Sequence, residues 1–364
     1  MNVRMRWMPR ILILAAALWA PLGCSSAGRE QPASEYASVP PASGTAAHAE
    51  NGPNGGGAED GPPAFEAEAS PADPEAEEAA GAEEVKKIAP NFFEEEERTP
   101  LGVWWWGTRY LTDEEQFERR LEFLKAHHVT EVYLTFDAKL DGAVYRNALR
   151  RLTEAGIRAS ALDGDASWVT EPGYRAFVSR LEALQAYQET AGEEERFAGL
   201  HLDVEPYAMP EFQEDPVPYL DHYAKLVDTA AEFAQRLGMS AEFDLPFWID
   251  DRVKTTSGGE EMTMAEYIVS KVDAVGIMSY RDTALRQYLD SMRVIDLAKK
   301  HGTRIMMGFE TQPLDDTPHV TYFEEGPEIM AAEMSKLRSL LNDTLDIPFG
   351  LAIHHMDSWI DWQK

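Results

Sequence analysis

The chain has 364 residues, which is enough for two average domains or for one large barrel with additional segments. Its 64 acidic residues outnumber its 33 Lys and Arg residues, and the formal net charge is −31. Nucleic acids and anionic lipid surfaces would repel such a chain, so we expect neither as a partner. Cys24 is the single cysteine, which excludes an internal disulfide bond.

Residues 1–23 have the features of a secretory signal peptide. Arginines at positions 4, 6 and 10 precede an apolar run, 11–20, that is too short to span a membrane. The Pro-Leu-Gly-Cys sequence that ends at Cys24 resembles the lipobox of bacterial lipoproteins. This resemblance implies lipidation of Cys24 and a membrane anchor, with the protein in the cell envelope or outside the cell. The alternative is an ordinary signal peptide that releases the protein.

Residues 24–98 are predicted to form a disordered acidic tether. Ala, Pro, Gly, Ser and Glu dominate this segment, and residues 25–98 contain 17 acidic side chains against four basic ones. Too little apolar surface is available to offset the entropy lost on folding. As a random coil the segment would span about 45–50 Å. Residues 99–364 keep a net charge of about −21, which favours a neutral or cationic substrate.

Residues 99–364 are predicted to fold as one (β/α)8 TIM barrel of the α/β class. They contain eight apolar or alternating runs typical of β-strands, separated by segments with helical spacing. An open, doubly wound sheet is the alternative, but no Gly-rich phosphate-binding turn follows an early strand. The runs are 102–108, 130–136, 157–165, 197–205, 239–247, 272–280, 303–311 and 349–359.

Three of the intervening segments carry helix signals. Residues 111–128 have an apolar stripe and a Thr-x-x-Glu capping box from Thr112 to Glu115. Residues 219–238 and 283–302 are also amphipathic, and each ends in a glycine, as helices often do.

The fourth run, FAGLHLDVEPY at 197–207, alternates polar and apolar side chains. His201, Asp203 and Glu205 share one side of this strand. In a barrel this side faces the lumen, and functional groups collect at the C-terminal ends of the strands. We therefore expect Glu205 at the rim and Asp203 one layer deeper. Repulsion between two close carboxyl groups raises one pKa, which suits a general acid for glycosidic bond cleavage.

The other strand ends supply candidate substrate-binding residues. Aromatic rings suit the faces of a sugar, and polar groups suit its edges. Because His354 and His355 are adjacent, they point to opposite sides of the strand and do not suit one metal ion. We predict neither a metal nor a cofactor, and we expect a monomer. The candidates are Trp105, Asp137, His201, Glu242, Asp244, Met278, Arg281, Glu310 and Trp359.

The fourth run also resembles the D-x-x-D-x-D-x-E motif of glycoside hydrolase family 18, the chitinase-like barrels. Glu205 and Asp203 match the last two acids of the motif. Ala198 and His201 stand where the family has the first two acids, so the match is partial.

The sixth and eighth runs resemble the same family. In GIMSYRD, Met278 and Tyr280 match the family's Met-x-Tyr-Asp segment, and Arg281 stands where Asp is usual. Trp359 would take the place of the tryptophan on which the family stacks a sugar ring.

The resemblance implies substrate-assisted, retaining hydrolysis of an N-acetylated amino-sugar polymer. Glu205 would be the general acid, and the substrate's own acetamido oxygen would be the nucleophile. Asp203 would orient the acetamido group and stabilise its positive charge, while Tyr280 would donate a hydrogen bond to its oxygen.

Three alternatives stay open. The Val-Glu-Pro sequence at 204–206 also resembles the Asn-Glu-Pro of retaining clan A barrels, which implies Glu205 as acid/base and Glu310 as nucleophile. A family-18-like barrel that has lost motif acids could bind glycans without cleaving them. A metal hydrolase using His201, Asp203 and a distant histidine is the third alternative.

Overall fold

The computed structural model of the protein describes residues 99–249, 254–257, 260–314 and 316–362. The predicted signal peptide (1–23), the predicted lipidation site Cys24 and the predicted tether (24–98) lie outside these residues. None of the described helices has both the length and the apolar content that a bilayer-spanning segment needs.

Eight parallel strands close into a barrel, which confirms the predicted α/β fold. In chain order the described strands are β1 (Leu101–Trp105), β2 (Glu131–Thr135), β3 (Arg158–Asp163), β4 (Gly199–Leu202), β5 (Ser240–Pro246), β6 (Lys254–Ser257), β7 (Glu260–Thr263), β8 (Ala274–Met278), β9 (Arg304–Glu310) and β10 (Phe349–His354). The barrel order is β1-β10-β9-β8-β5-β4-β3-β2, and β6 and β7 form a separate antiparallel hairpin. Each of the eight predicted runs therefore overlaps a barrel strand, whereas the hairpin was not predicted.

Helices follow the barrel strands in the manner of a (β/α)8 fold. In chain order the described α-helices are α1 (Glu114–Ala126), α2 (Gly142–Glu154), α3 (Glu171–Thr190), α4 (Pro210–Glu214), α5 (Val217–Leu237), α6 (Met264–Val269), α7 (Ala284–His301), α8 (Pro327–Thr344) and α9 (Met356–Trp362). Short 3-10 helices lie at Thr108–Thr112, Ala166–Val169, Glu193–Glu195, Pro206–Ala208 and Pro318–Val320. The predicted glycine ends of α5 and α7 are confirmed, because Gly238 and Gly302 cap them with φ of 66° and 73°, a left-handed conformation that glycine adopts freely.

Two local predictions about element ends are wrong. Helix α1 is capped by Asp113, whose side chain accepts from the Gln116 backbone N–H at 3.1 Å. Thr112 does not cap the helix, because its hydroxyl donates to the Arg109 carbonyl oxygen at 2.9 Å. The eighth run ends as a strand at residue 354, and helix α9 begins two residues later.

Apolar side chains pack on both sides of the barrel wall. Leu200, Leu202 and Val204 belong to the large core between the strands and the helices. Trp104 and Tyr133 belong to a smaller cluster inside the barrel, with Leu162, Met306 and Ala352. Burial of one large apolar side chain stabilises a fold by about 1.5–3 kcal/mol, so both layers support the closed barrel.

Candidate active site

Strand β4 directs a row of polar side chains into the lumen. Its register with β5 sets His201 beside Glu242, and the same register carried further sets Asp203 beside Asp244. Glu205 follows at the rim, where a short 3-10 helix begins. Each of these five side chains is more than nine-tenths buried. The structure thus places Glu205 at the C-terminal mouth of the barrel and Asp203 one layer deeper.

Glu205 is held by one hydrogen bond and leaves one oxygen unpaired. The Tyr207 hydroxyl donates to Oε1 at 2.5 Å, whereas Oε2 is buried without a partner among the described residues. Trp248 packs edge-on against Tyr207, with 4.8 Å between ring centroids. Burial raises the pKa of Glu205, the Tyr207 hydrogen bond lowers it, and the nearby charge of Asp244 raises it. The resulting pKa is about 8. At neutral pH Glu205 is mainly protonated, as a general acid needs to be.

Asp203 and Tyr280 present two more polar atoms at the same mouth. Asp203 Oδ1 and the Tyr280 hydroxyl oxygen are buried and have no hydrogen-bond partner in the described part of the chain. Burial, followed by repulsion from Glu205 and Asp244, raises the pKa of Asp203 well above its usual value. Burial, followed by the carboxylate of Glu310, also raises the pKa of Tyr280, so its phenol remains a hydrogen-bond donor.

His201 bridges the carboxylates of Glu242 and Asp244. Its Nδ1 lies 3.0 Å from Glu242 Oε2, and its Nε2 lies 2.8 Å from Asp244 Oδ2. Burial disfavours the charged ring, but the two carboxylates outweigh burial and raise the pKa of His201 to about 10. The ring also stacks on Tyr133, with 3.8 Å between centroids. His201 is therefore an imidazolium that donates from both nitrogens. The alternation in the sequence placed His201 in the lumen, and the structure supplies the hydrogen-bond partners that its burial requires.

Glu242 belongs to an ion-pair network at the closed end of the barrel. Arg158 Nη2 lies 2.7 Å from Glu242 Oε1, and Arg304 Nη2 lies 2.6 Å from Glu131 Oε1. Burial alone would raise the pKa of Glu242, but the His201 hydrogen bond and the charge of Arg158 lower it to about 2. The structure therefore places Glu242 below His201 and away from the mouth, which makes its predicted contact with substrate indirect at best.

Glu310 has partners for both of its oxygens. Oε1 accepts from the backbone N–H groups of Thr311 and Gln312, at 2.7 and 2.8 Å. Oε2 lies 2.8 Å from His354 Nδ1. The Trp106 indole N–H donates to His354 Nε2 at 3.3 Å, so Nδ1 carries the proton that Glu310 accepts. Glu310 thus anchors the turn after β9 and orients His354.

The structure corrects the choice of tryptophans. Trp105 was predicted to bind substrate, but its ring stacks on Phe117 of α1 in the outer core. Trp359 was predicted to stack on a sugar, but it lies in α9 and packs on Phe123 at 4.9 Å. The period of two along β1 puts Trp104 and Trp106 on the opposite side from Trp105, and three consecutive tryptophans hide this alternation in the sequence.

Trp104 and Trp106 are the tryptophans of the inner face. The Trp104 indole N–H donates to Asp244 Oδ2 at 2.9 Å. Trp106 is half-buried at the end of β1 and packs against the small cluster that contains Met278 and Tyr280. Met278 is buried in this cluster and forms part of the wall beside the mouth. A half-buried indole at this place has a face that a sugar ring could cover.

Asp137 and Arg281 are not drawn into the constellation at the mouth. Asp137 is partly buried after β2, and its Oδ1 accepts from the Lys139 backbone N–H at 3.0 Å. Arg281 turns towards α7, where Nε donates to Asp290 at 2.8 Å. Its guanidinium also lies over Phe247, 4.8 Å from the ring centroid. The predicted substrate contacts of these two residues therefore have no support in the geometry.

Two glycines on neighbouring strands make room for the inner polar groups. A Cβ atom at Gly276 of β8 would overlap Asp244 Oδ1, and it would also lie 3.6 Å from the Trp104 ring. A Cβ atom at Gly308 of β9 would lie 2.9 Å from Tyr280 Cε1. Both positions read as unremarkable strand glycines in the sequence, which is why they were not predicted to matter. Tyr207 was missed for a similar reason, since it follows the strand as part of a loop.

The constellation at the mouth offers both hydrogen-bond donors and an acceptor. Protonated Glu205 and the Tyr280 phenol can donate, whereas Asp244 Oδ1 can accept. Within the described residues, His, Cys, Asp and Glu side chains form no group of three or more that could hold a metal ion. Proton donors and acceptors grouped in this way can perform acid–base chemistry.

Comparison with known proteins gives similarity in structure but not in sequence. No protein-family model and no curated protein matches the chain. Among solved structures, a chitinase from Chromobacterium violaceum has 12% identity and a TM-score of 0.44, over 73% of this chain and 97% of that one. The spore cortex-lytic enzyme SleL of Bacillus cereus has 11% identity and a TM-score of 0.44, over 73% of each chain. A family 18 chitinase from Cycas revoluta, solved with (GlcNAc)3, has 12% identity and a TM-score of 0.41, over 72% and 96%.

The fold assignment rests on the observed strand order and not on these similarities. The closed parallel barrel and its acidic mouth define a (β/α)8 protein with a buried acid–base constellation at the end where such barrels carry their sites.

Proposed function

We propose that this barrel hydrolyses the glycosidic bonds of a polymer of N-acetylated amino sugars by substrate-assisted retention. The observation that carries the proposal is a set of four buried and unpaired polar atoms at one mouth: Glu205 Oε2, Asp203 Oδ1, Asp244 Oδ1 and the Tyr280 hydroxyl oxygen. A buried polar group without a partner costs about 1–3 kcal/mol. A ligand that pairs with all four would explain why the fold retains them.

Each residue has a role in this reaction. Glu205 gives the proton on Oε2 to the leaving oxygen while the acetamido oxygen of the substrate attacks C1. Asp203 orients the acetamido group by a hydrogen bond, and Tyr280 donates to its oxygen. Water then attacks C1, Glu205 takes a proton from it, and the acetamido group is released unchanged. Partial identity with the family 18 motif, through Asp203, Glu205, Met278 and Tyr280, supports this assignment.

The clan A reading has less support than the substrate-assisted one. It needs Glu310 as a nucleophile with an oxygen free to attack a sugar carbon. Glu310 instead accepts two backbone N–H groups and pairs with His354. Attack by Glu310 would break one of these buried contacts in every catalytic cycle.

Glu205→Gln tests whether the protein is an enzyme. We expect hydrolysis of a chromogenic chitooligosaccharide to fall by several orders of magnitude, because Gln cannot supply the proton. Binding of the uncleaved oligosaccharide, measured by calorimetry, should change little. A wild-type protein that binds the sugar and shows no hydrolysis would instead favour the glycan-binding alternative.

The acetamido group tests the mechanism. An otherwise identical oligosaccharide that carries a hydroxyl in place of the acetamido group has no internal nucleophile, so we expect it not to be cleaved. Cleavage of this analogue at a comparable rate, together with an equal loss of rate in Glu205→Gln and Glu310→Gln, would support the clan A reading instead.

We also propose that the protein is exported and anchored to a membrane through lipid on Cys24. The arginines and apolar run of residues 1–20 and the lipobox-like sequence before Cys24 support this. Metabolic labelling with a fatty-acid analogue should mark the wild type and the control Ser25→Ala, but not Cys24→Ser. Equal labelling of Cys24→Ser would refute the anchor without bearing on the barrel.

A further inference from the structure

Asp244 is the most firmly held carboxylate at the level of Asp203. Both residues lie on inner faces of neighbouring strands, in the register that pairs His201 with Glu242. Neighbouring strands are about 4.8 Å apart, so a group that reaches Asp203 from the mouth also comes within reach of Asp244. Asp244 is 1% exposed, and both of its donors converge on Oδ2.

Two N–H donors converge on Asp244 Oδ2 and favour negative charge there. The Trp104 indole donates at 2.9 Å and the His201 ring at 2.8 Å. Two N–H groups aimed at one oxygen leave no room for a proton on it, and both stabilise negative charge. These contacts also fix the plane of the carboxyl group, and Oδ1 is left buried with no partner among the described residues.

Gly276 leaves the space that the unpaired oxygen of Asp244 occupies. Any side chain at this position would place its Cβ atom on Asp244 Oδ1. The glycine on the neighbouring strand thus lets this oxygen lie fixed and buried without a partner among the described residues. An acceptor so placed is complementary to an N–H donor, and its charge is complementary to a cation.

Asp203 is less suited to hold a positive charge. Its carboxyl group has a free Oδ1 and stands next to both Glu205 and Asp244, which disfavour a further negative charge at this place. The Asp203 carboxyl group can orient a ligand by hydrogen bonding, but its surroundings disfavour the negative charge that would pair with a cation.

We propose that Asp244, rather than Asp203, is the carboxylate that pairs with the positive charge developing on the acetamido group during hydrolysis. As the acetamido oxygen forms its bond to C1, the glycosidic C1–O bond breaks and the leaving oxygen takes the proton of Glu205. The acetamido group becomes part of a cationic ring, and its N–H points to Asp244 Oδ1. Attack of water on C1 then restores the neutral acetamide. This inference rests on the proposed function and assigns a catalytic residue to it.

The test compares a cationic and a neutral ligand. The cationic probe is the protonated thiazoline analogue of N-acetylglucosamine, which mimics the charged ring, and the neutral probe is the N-acetylglucosamine disaccharide. In Asp244→Asn we expect affinity for the thiazoline to fall about 10- to 100-fold, the range of a hydrogen bond to a charged group, while disaccharide affinity falls less than threefold. Asp203→Asn should weaken the binding of both probes to a similar extent.

Two further variants keep the test decisive. Gly276→Ala keeps Asp244 but places a Cβ atom on Oδ1, which must move the carboxyl group from its observed position, so this variant should also lose selectivity for the cation. Glu333→Gln is the matched control, because it removes a buried carboxylate of helix α8 whose oxygens pair with the Ala284 N–H and with Lys336. Its selectivity should stay within about twofold of that of the wild type, which is far below the effect expected of a charged contact.

Distinct results would overturn this inference and the proposed function. Full thiazoline selectivity in Asp244→Asn, with loss of selectivity in Asp203→Asn, would return the role to Asp203 and leave the hydrolase intact. Should Asp244→Asn fail to fold, unchanged selectivity in Gly276→Ala would overturn the inference by itself. A wild-type protein that neither binds these probes nor cleaves the oligosaccharide would refute the proposed function itself.

Discussion

Removal of one hydroxyl group, in Tyr207→Phe, should change the pH range of hydrolysis. The Tyr207 hydroxyl donates to Glu205 Oε1 at 2.5 Å and favours the ionised form of that carboxyl. A hydrogen bond to a charged group contributes about 1.5–3 kcal/mol, which corresponds to about one to two pKa units. Without it, the pKa of Glu205 should move from about 8 towards 9 or 10.

The sign of the effect follows from the role of Glu205 as an acid. The protonated form is active, so kcat/KM should be constant below the pKa and fall as pH rises through it. A higher pKa moves this fall to higher pH, by about one to two pH units in Tyr207→Phe. At the pH optimum the rate should drop about tenfold, because the unanchored carboxyl group loses its orientation. Initial rates between pH 5 and about pH 10 measure both effects.

Tyr223→Phe is the matched control for this experiment. Tyr223 is also a fully buried phenol, but its hydroxyl donates to the Val204 carbonyl oxygen at 3.2 Å. Its removal should lower stability without moving the basic limb of the pH profile. A basic limb of Tyr207→Phe that stays in place or moves to lower pH would contradict the role of Glu205 as the acid.

Three further predictions concern stability and sugar binding. The pKa of Glu205 rises from 4.5 in the unfolded chain to about 8 in the fold, so the free energy of unfolding falls by about 3–5 kcal/mol as pH rises between these values. Glu205→Gln should therefore raise Tm at pH 8 and leave it unchanged at pH 4. Equal shifts of Tm at both pH values would contradict this. Trp106→Ala should raise KM for an oligosaccharide about tenfold by removing a stacking face, whereas Trp105→Phe should lower Tm and leave KM unchanged. Asp113→Ala should cost about 1 kcal/mol in denaturant unfolding as an N-cap, and Thr112→Ala less than about 0.5 kcal/mol; the reverse order would restore the capping box.

The barrel could be predicted because its signals are local and periodic. Alternation along 197–207 identifies the side of β4 that faces the lumen, and glycines such as Gly238 mark helix ends by their left-handed conformation. The same alternation fails for residues 104–106, because three tryptophans in succession look alike on both faces. The choice of Trp105 was wrong by one residue, so an outward-facing side chain was predicted in place of the inward-facing Trp104 or Trp106.

The partners of the polar groups could not be predicted, because they come from distant strands or depend on how a turn folds. Glu242 receives Arg158, and His201 receives Asp244, only after strands far apart in sequence have paired. Glu310 looks like a free catalytic carboxylate in the sequence, yet the two N–H groups that occupy it belong to the next two residues and depend on how the turn folds. Thr112 and Asp113 are both suitable N-cap residues for α1, and their spacing in the sequence does not show which of them caps the helix.

The charged chain that runs from Arg158 through Glu242 and His201 to Asp244 links the two ends of the barrel. The charges of these four side chains alternate in sign along the barrel axis. A change of charge at the closed end therefore alters the electrostatic potential at the open end, even though no sugar can reach the closed end. The residues of this chain that have a structural role thus also influence the pKa values of the site. Substitutions among the ion pairs beneath the site would thus shift the pKa values of its acidic groups without changing the surface that contacts a ligand.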